Sequence, residues 1–198
     1  MGHGGEGQGD GKLRIEVGLA GVGGQGVLVA GSIIGKAAVL DGLYAAQSVS
    51  YGAEVRGTLS LSEVVVSDTP ILYPFSSRLD ALALMSVRAA KATRRLKRGG
   101  VLVADEEAFD LSYAESYKVL SVPAFKLARE KLGRPLLGNL VLVGALAKEL
   151  GLPSLKSLER AVVEELPEAR ARVGREAAVE ALRLGWGFSP PDKKKKGS

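Results

Sequence analysis

Six residues, Gly21-Val22-Gly23-Gly24-Gln25-Gly26, separate a short apolar run, Arg14 to Ala20, from a longer helical one, Val27 to Leu40. The first run reads as a buried strand and the second as a helix. Glycines at this junction permit a tight turn and a close backbone approach. The amides that open the helix favour a phosphate or carboxylate. A strand feeding a helix in this way is the opening unit of an α/β chain.

The rest of the chain continues the alternation. Tyr44 to Val49, Leu59 to Val66, Leu79 to Leu84, Val101 to Ala104 and Lys118 to Val122 read as further strands. Ser50 to Gly57 reads as a glycine-punctuated loop. The stretch from Leu84 through Lys97 reads as a helix ended by Gly99-Gly100. After Pro123 the pattern is helical: Phe125 to Lys131, Asn139 to Leu150, Ser154 to Leu166 and Pro167 to Leu184. The expected fold is α/β, a mainly parallel sheet with flanking helices (Rossmann-like) and a helical C-terminal region. Residues 1–12 are expected to be a disordered leader, 13–188 a single domain, and 189–198 a lysine-rich tail.

Composition removes several chemistries. The 198 residues include no cysteine, so this chain has no disulfide, thiol nucleophile or thiolate-held iron–sulfur cluster. The single histidine, His3, argues against a Ser-His-Asp triad and a multi-histidine metal site. No apolar run approaches the length of a membrane span, so no membrane is expected, and the cytoplasm is the default compartment. The net charge is +5, of which the tail from Asp192 to Lys196 supplies +3. Aromatics are 5%, leaving few stacking surfaces, so no nucleic-acid partner is expected. Arg88, Lys91, Arg95 and Arg98 have the spacing of one α-helical face. That face reads as solvated, with docking of an acidic partner as the sharper reading.

Ligands of such sheets bind beyond the C-terminal ends of the strands. The glycine loop, Ser50 to Gly57 and Asp105-Glu106-Glu107 all fall there. Gly21, Gly23 and Gly26 have dinucleotide spacing, and a stand-alone NAD(P) or FAD oxidoreductase domain is the alternative function. Such a site wants an acid at the end of strand two, and Leu43 to Val49 contains none. A tight turn without a ligand also stays open. Glu106 and Glu107 are adjacent, so their side chains diverge and suit paired acid–base work poorly.

Two segments together carry a resemblance. Gly21 to Val27 with Ala30-Gly31, and Gln47-Ser48-Val49-Ser50-Tyr51-Gly52-Ala53-Glu54-Val55-Arg56-Gly57, resemble the gamma subunit of 2-oxoacid:ferredoxin oxidoreductases. Ser67 to Ile71, Gly99 to Val103, Gly138-Asn139 and Gly144 to Leu146 extend the likeness from about Leu13 to Gly187. The small subunit of indolepyruvate oxidoreductase shares much of this pattern. The resemblance implies a complex that oxidatively decarboxylates a 2-oxoacid, forms acyl-coenzyme A and passes electrons to ferredoxin. Thiamine diphosphate and iron–sulfur clusters would sit in the alpha, beta and delta partner subunits, and this chain alone would bind no cofactor and be inert. It also implies that Gly21, Gly23, Gly24 and Gly26 form a backbone nest with Gln25 at its mouth. Ser50, Tyr51, Glu54 and Arg56 would line the adjacent loop, towards coenzyme A or the active-site entrance. A Glu54–Arg56 ion pair bracing the loop, or a subunit contact by these residues, is the competing reading. Thr58 stands where this family would have another glycine. No catalytic residue or metal ligand is expected in this chain.

Overall fold

A computed structural model describes residues 12–52, 59–166 and 171–190. The strands are β1 (Arg14–Val22), β2 (Tyr44–Tyr51), β3 (Leu59–Ser67), β4 (Leu79–Leu84), β5 (Leu96–Asp105) and β6 (Lys118–Val122). The helices are α1 (Val27–Leu40), α2 (Ala124–Leu132), α3 (Gly138–Leu150), α4 (Leu155–Glu165) and α5 (Ala171–Trp186). Expectations placed on the leader, on Glu54, Arg56 and Thr58, on Pro167 as a helix start, and on the lysine tail lie outside the described residues.

The sheet order is β2-β3-β1-β4-β5-β6. From β1 through β6 the pairings are parallel. β3 alone runs against its neighbours, pairing antiparallel with both β1 and β2. The connection from β2 to β3 is seven residues, Gly52 to Thr58. A parallel crossover needs a dozen or more, so the chain turns back as a hairpin.

All five helices pack on one face, around Leu19, Ile33, Leu142, Leu146, Leu158 and Leu182, which are fully buried. Gly144 and Gly185 let α3 and α5 cross at backbone contact, since a Cβ on either would strike the other helix's carbonyl, of Leu182 or Val141. Asp41 closes α1 against the start of α4. Its carboxylate accepts from the Ser154 amide (2.6 Å) and hydroxyl (2.7 Å) and from the Ser157 hydroxyl.

The opposite face is covered differently from the expectation. The stretch after β4 is a 3-10 segment, Val87–Arg95, and β5 begins directly behind it at Leu96. The crossover must travel back along a six-residue strand, a distance of about 20 Å. Nine residues rise about 18 Å as a 3-10 helix but only about 14 Å as an α-helix. The tighter coil therefore spans the gap. Gly99-Gly100 does not end a helix. It lies within β5, where pairing with β4 jumps from Leu79–Leu96 to Ala81–Val101. Gly99 takes φ +74°, and a Cβ on Gly100 would crowd the Asp80 and Lys97 carbonyls.

Candidate functional site

The two family-like segments meet through β3. Ser60 pairs with Tyr51 on one side and with Gly21 on the other. Strand spacing then puts the end of β2 about 10 Å from the glycine loop. Ser50 and Tyr51 are strand residues, not loop, and both are exposed, Tyr51 by 64%. An open cavity of about 330 Å³ lies between the segments, lined by Gly23, Gly24, Gly26, Val49, Tyr51 and Ser60 among others.

The loop conformation depends on its glycines at two points. Gly24 has φ +92° and faces open space. Gly26 has φ +72°, caps α1, and has the Asn139 side-chain nitrogen where its Cβ would be. No side chain caps α1, and its first turn carries no acid. Among the described residues the amides of Val27, Leu28 and Val29 therefore have no capping partner, and the positive end of the helix dipole lies at the cavity.

Gln25 braces the loop from within. Its Oε1 accepts from the Val22 amide (2.9 Å), and its Nε2 donates to the Met85 carbonyl at the end of β4 (3.2 Å). Both ends of the amide are engaged by backbone. Gln47 similarly donates to the Leu28 carbonyl (3.0 Å) and the Ser62 hydroxyl (2.8 Å), tying β2 and β3 to α1. Gly31 permits this approach, because a Cβ there would fall on Ser62 and Gln47.

Asn139 is a residue whose part at this site sequence reasoning missed. It is 7% exposed and donates to the Gly26 carbonyl from the start of α3. Its being the chain's single asparagine, in a likeness-bearing Gly138-Asn139 pair, is the signal that could have found it.

Asp105 ends β5 and is buried. Burial pushes its carboxyl up, against backbone hydrogen bonds from Phe125 and Glu107 that pull it down. Those bonds, both 3.1 Å, make it a brace for the start of α2. The α-helical basic stripe is not formed. Arg95 turns inward onto Glu63, with Nη2–Oε1 at 2.8 Å, and donates to the Ser76 carbonyl (2.8 Å). Arg98 belongs to β5. Burial raises the Glu63 carboxyl, and Arg95 opposes that rise.

Asp41 and Glu54 are the acids nearest in sequence to a ribose-binding position. Asp41 sits at the far end of α1, about 21 Å along the helix from Gly26. Glu54 lies outside the described residues. Among the described residues no three His, Cys, Asp or Glu side chains group as metal ligands. The chain has no thiolate to hold a cluster. No described helix is long and apolar enough to cross a membrane.

Among the described residues, a six-stranded α/β sheet with one reversed strand, five helices on one face, and a glycine loop beside the exposed end of β2 define a Rossmann-like domain. The chain belongs to the pyruvate ferredoxin/flavodoxin oxidoreductase family, whose model matches residues 16–187. Within it, this is a gamma-type subunit of a 2-oxoacid:ferredoxin oxidoreductase, one chain of a multi-subunit enzyme. It is 39% identical to the 2-oxoglutarate synthase subunit KorC of Methanothermobacter thermautotrophicus, over 87% of this chain and 99% of that one. It is 31% identical to the pyruvate synthase subunit PorC of Methanothermobacter marburgensis, over 87% and 96%. The keto/oxoacid ferredoxin oxidoreductase gamma subunit of Geobacter sulfurreducens superposes with a TM-score of 0.74 at 34% identity, covering 87% of this chain and 96% of that one.

Proposed function

We propose that this chain is the gamma subunit of an enzyme that oxidatively decarboxylates 2-oxoglutarate, forming succinyl-coenzyme A and passing two electrons to ferredoxin. The observation that carries the choice of substrate is the gap in identity, 39% to a 2-oxoglutarate synthase subunit against 31% to a pyruvate synthase subunit at equal coverage of this chain. Residues 13–188 form the functional domain, and the enzyme works in the cytoplasm. Thiamine diphosphate and iron–sulfur clusters reside in alpha, beta and delta partners, in keeping with a chain that has no cysteine.

In this reading the glycine loop and the β2–β3 hairpin face the coenzyme A side of the active site. The amides around Gly23, Gly24 and Gly26 receive an anionic group, helped by the α1 dipole. Gly21 and Gln25 shape the loop, the latter through Val22 and Met85. Tyr51 flanks the cavity, whereas Ser50 lines the groove on the opposite face of the sheet. Glu54 and Arg56 would act on the same ligand, with Arg56 suited to a phosphate. The chain contributes a wall and turns nothing over by itself.

The test is anaerobic co-purification with the other subunits, followed by coenzyme A-dependent ferredoxin reduction with 2-oxoglutarate, pyruvate and branched 2-oxoacids compared. Preference for 2-oxoglutarate supports the assignment. Preference for pyruvate moves it to the pyruvate branch, and NAD(P) binding by the isolated chain overturns it in favour of a stand-alone oxidoreductase domain.

A further inference from the structure

The two faces of the sheet are dressed unequally. Among the described residues one carries five helices, and the other carries 3-10 turns over a smaller core of Leu79, Leu82, Leu84, Leu96 and Leu102. Sheets of this class are ordinarily covered by helices on both faces. Over β2 and β3 no described residue covers the thin side. A groove of about 340 Å³ lies there, with Ala20, Leu59, Leu61, Ala89 and Ala92 in its walls.

Charge is concentrated on the same side. Between Arg78 and Gly100 the chain carries seven cations and one carboxylate, Asp80. That segment is +6 in a chain of +5, so all other residues together sum to −1. Two of the seven are paired, Arg95 with Glu63 and Lys97 with Asp80. Among the described residues the other five have no carboxylate partner, and all five are exposed.

The 3-10 period orders three of them. In such a coil residues i and i+3 eclipse. Arg88, Lys91 and Arg94 therefore form one ridge with a repeat of about 6 Å, Lys91 also lining the rim of the groove. Ala89, Ala92 and Arg95 form the next row, towards the groove and Glu63. An α-helix bearing acids at i, i+4 and i+8 has the same repeat of about 6 Å.

We propose that this face seats an acidic amphipathic helix of another subunit of the same complex. The helix's carboxylates would lie along Arg88, Lys91 and Arg94, its apolar side in the groove, completing the missing layer. The inference rests on the subunit reading given above. Ferredoxin is the less fitting occupant, because an electron carrier docked here would face a chain that holds no thiolate-bound cluster.

The test uses the complex assembled from its co-expressed subunits. Arg88→Glu, Lys91→Glu and Arg94→Glu are combined, and Lys126→Glu, Arg129→Glu and Lys131→Glu on α2 serve as the matched control. An unchanged circular dichroism melt establishes that each variant folds. The first set is expected to bind the remaining subunits roughly tenfold or more weakly, and the wild-type affinity to fall with salt. The control set is expected to bind as wild type. Hydrogen exchange should show residues 87–98 protected in the wild-type complex. Unweakened binding by the first set, or unprotected amides there, overturns the surface assignment while leaving the subunit reading intact. Unweakened binding with a raised KM for coenzyme A assigns the ridge to that anion instead, and overturns the proposal. Failure of the wild-type chain to join the complex overturns the subunit reading and this proposal with it.

Discussion

The side-chain amide of Asn139 donates to the carbonyl of Gly26 across 3.4 Å, joining the start of α3 to the cap of α1. The same carbonyl accepts the first helical bond of α1 from Ala30 at 2.9 Å. The glycine loop is thus held from below by a buried polar side chain and from within by Gln25, so its outward amides keep their directions without a ligand.

Gly26 and Gly24 separate the two demands on that loop. Both have positive φ, but a Cβ at Gly26 would also displace Asn139, and one at Gly24 would meet open space. Gly24→Ala is expected to cost about 1–2 kcal/mol, the left-handed penalty alone. Gly26→Ala is expected to cost about 2–4 kcal/mol, strain and displaced packing together. Urea unfolding of the two variants against wild type measures the gap.

The α3–α5 crossing yields a second comparison. Gly144→Ala and Gly185→Ala each force a methyl into the opposing backbone, at Leu182 and Val141 respectively. Overpacking of this kind costs about 1–3 kcal/mol. The double variant is expected to cost less than the sum, because one separation of the helices relieves both clashes. A double-mutant cycle by thermal unfolding reads this directly. Strict additivity would show that the two glycines do not share one contact.

Much of this architecture is legible in the amino-acid sequence. Apolar runs bounded by glycine and proline place β1, α1, β2, β3, β4, β6 and the helices after Pro123, although β1 and α3 are buried without a period. The direction of β3 is legible only from the short link that precedes it, too short for a parallel crossover, since alternation itself looks the same in either sense. The 3-10 segment is hidden because Ala, Arg and Lys favour α-helix locally. The span it must cover is set by the neighbouring strands, and no residue in it records that distance. Lys97 and Arg98 mask the early start of β5 for a related reason, their charges sitting on an exposed stretch. At the site, Gly21 to Gly26 are legible as a turn, whereas Asn139 arrives from 113 residues away. Glu63 and Arg95 likewise meet only through the fold.

Asp41 predicts an acid-side loss of stability. Burial alone pushes its carboxyl up, but hydrogen bonds from Ser157 and Ser154 outweigh that and hold it below the ordinary value of 3.8. The unfolded chain then binds the proton more readily than the folded one. The contribution is fully present above the unfolded value and is lost as pH falls through the folded one. Asp41→Ala is expected to cost about 1 kcal/mol at pH 7, modest because the site is largely solvated. The difference between variant and wild type should shrink below pH 3.8. Guanidinium unfolding at pH 7 and pH 3 checks both statements.

Glu63 predicts the opposite slope. Burial raises its carboxyl above 4.5, with Arg95 opposing and Glu16 adding to the rise. A raised carboxyl binds its proton more tightly in the folded chain, so stability falls as pH rises from the unfolded value through the folded one. Arg95→Met removes the opposing charge and leaves Glu63 buried without its counter-ion. The loss at pH 8 is expected to be about 2 kcal/mol, below the range for a fully buried pair because Arg95 is partly exposed. The variant should recover in acid, where Glu63 takes up a proton. Adding Glu63→Gln should restore most of the loss at pH 8 and flatten the pH dependence between 4.5 and 8. Urea unfolding of both variants across that range would reject the buried-pair account if Arg95→Met lost the same stability at every pH.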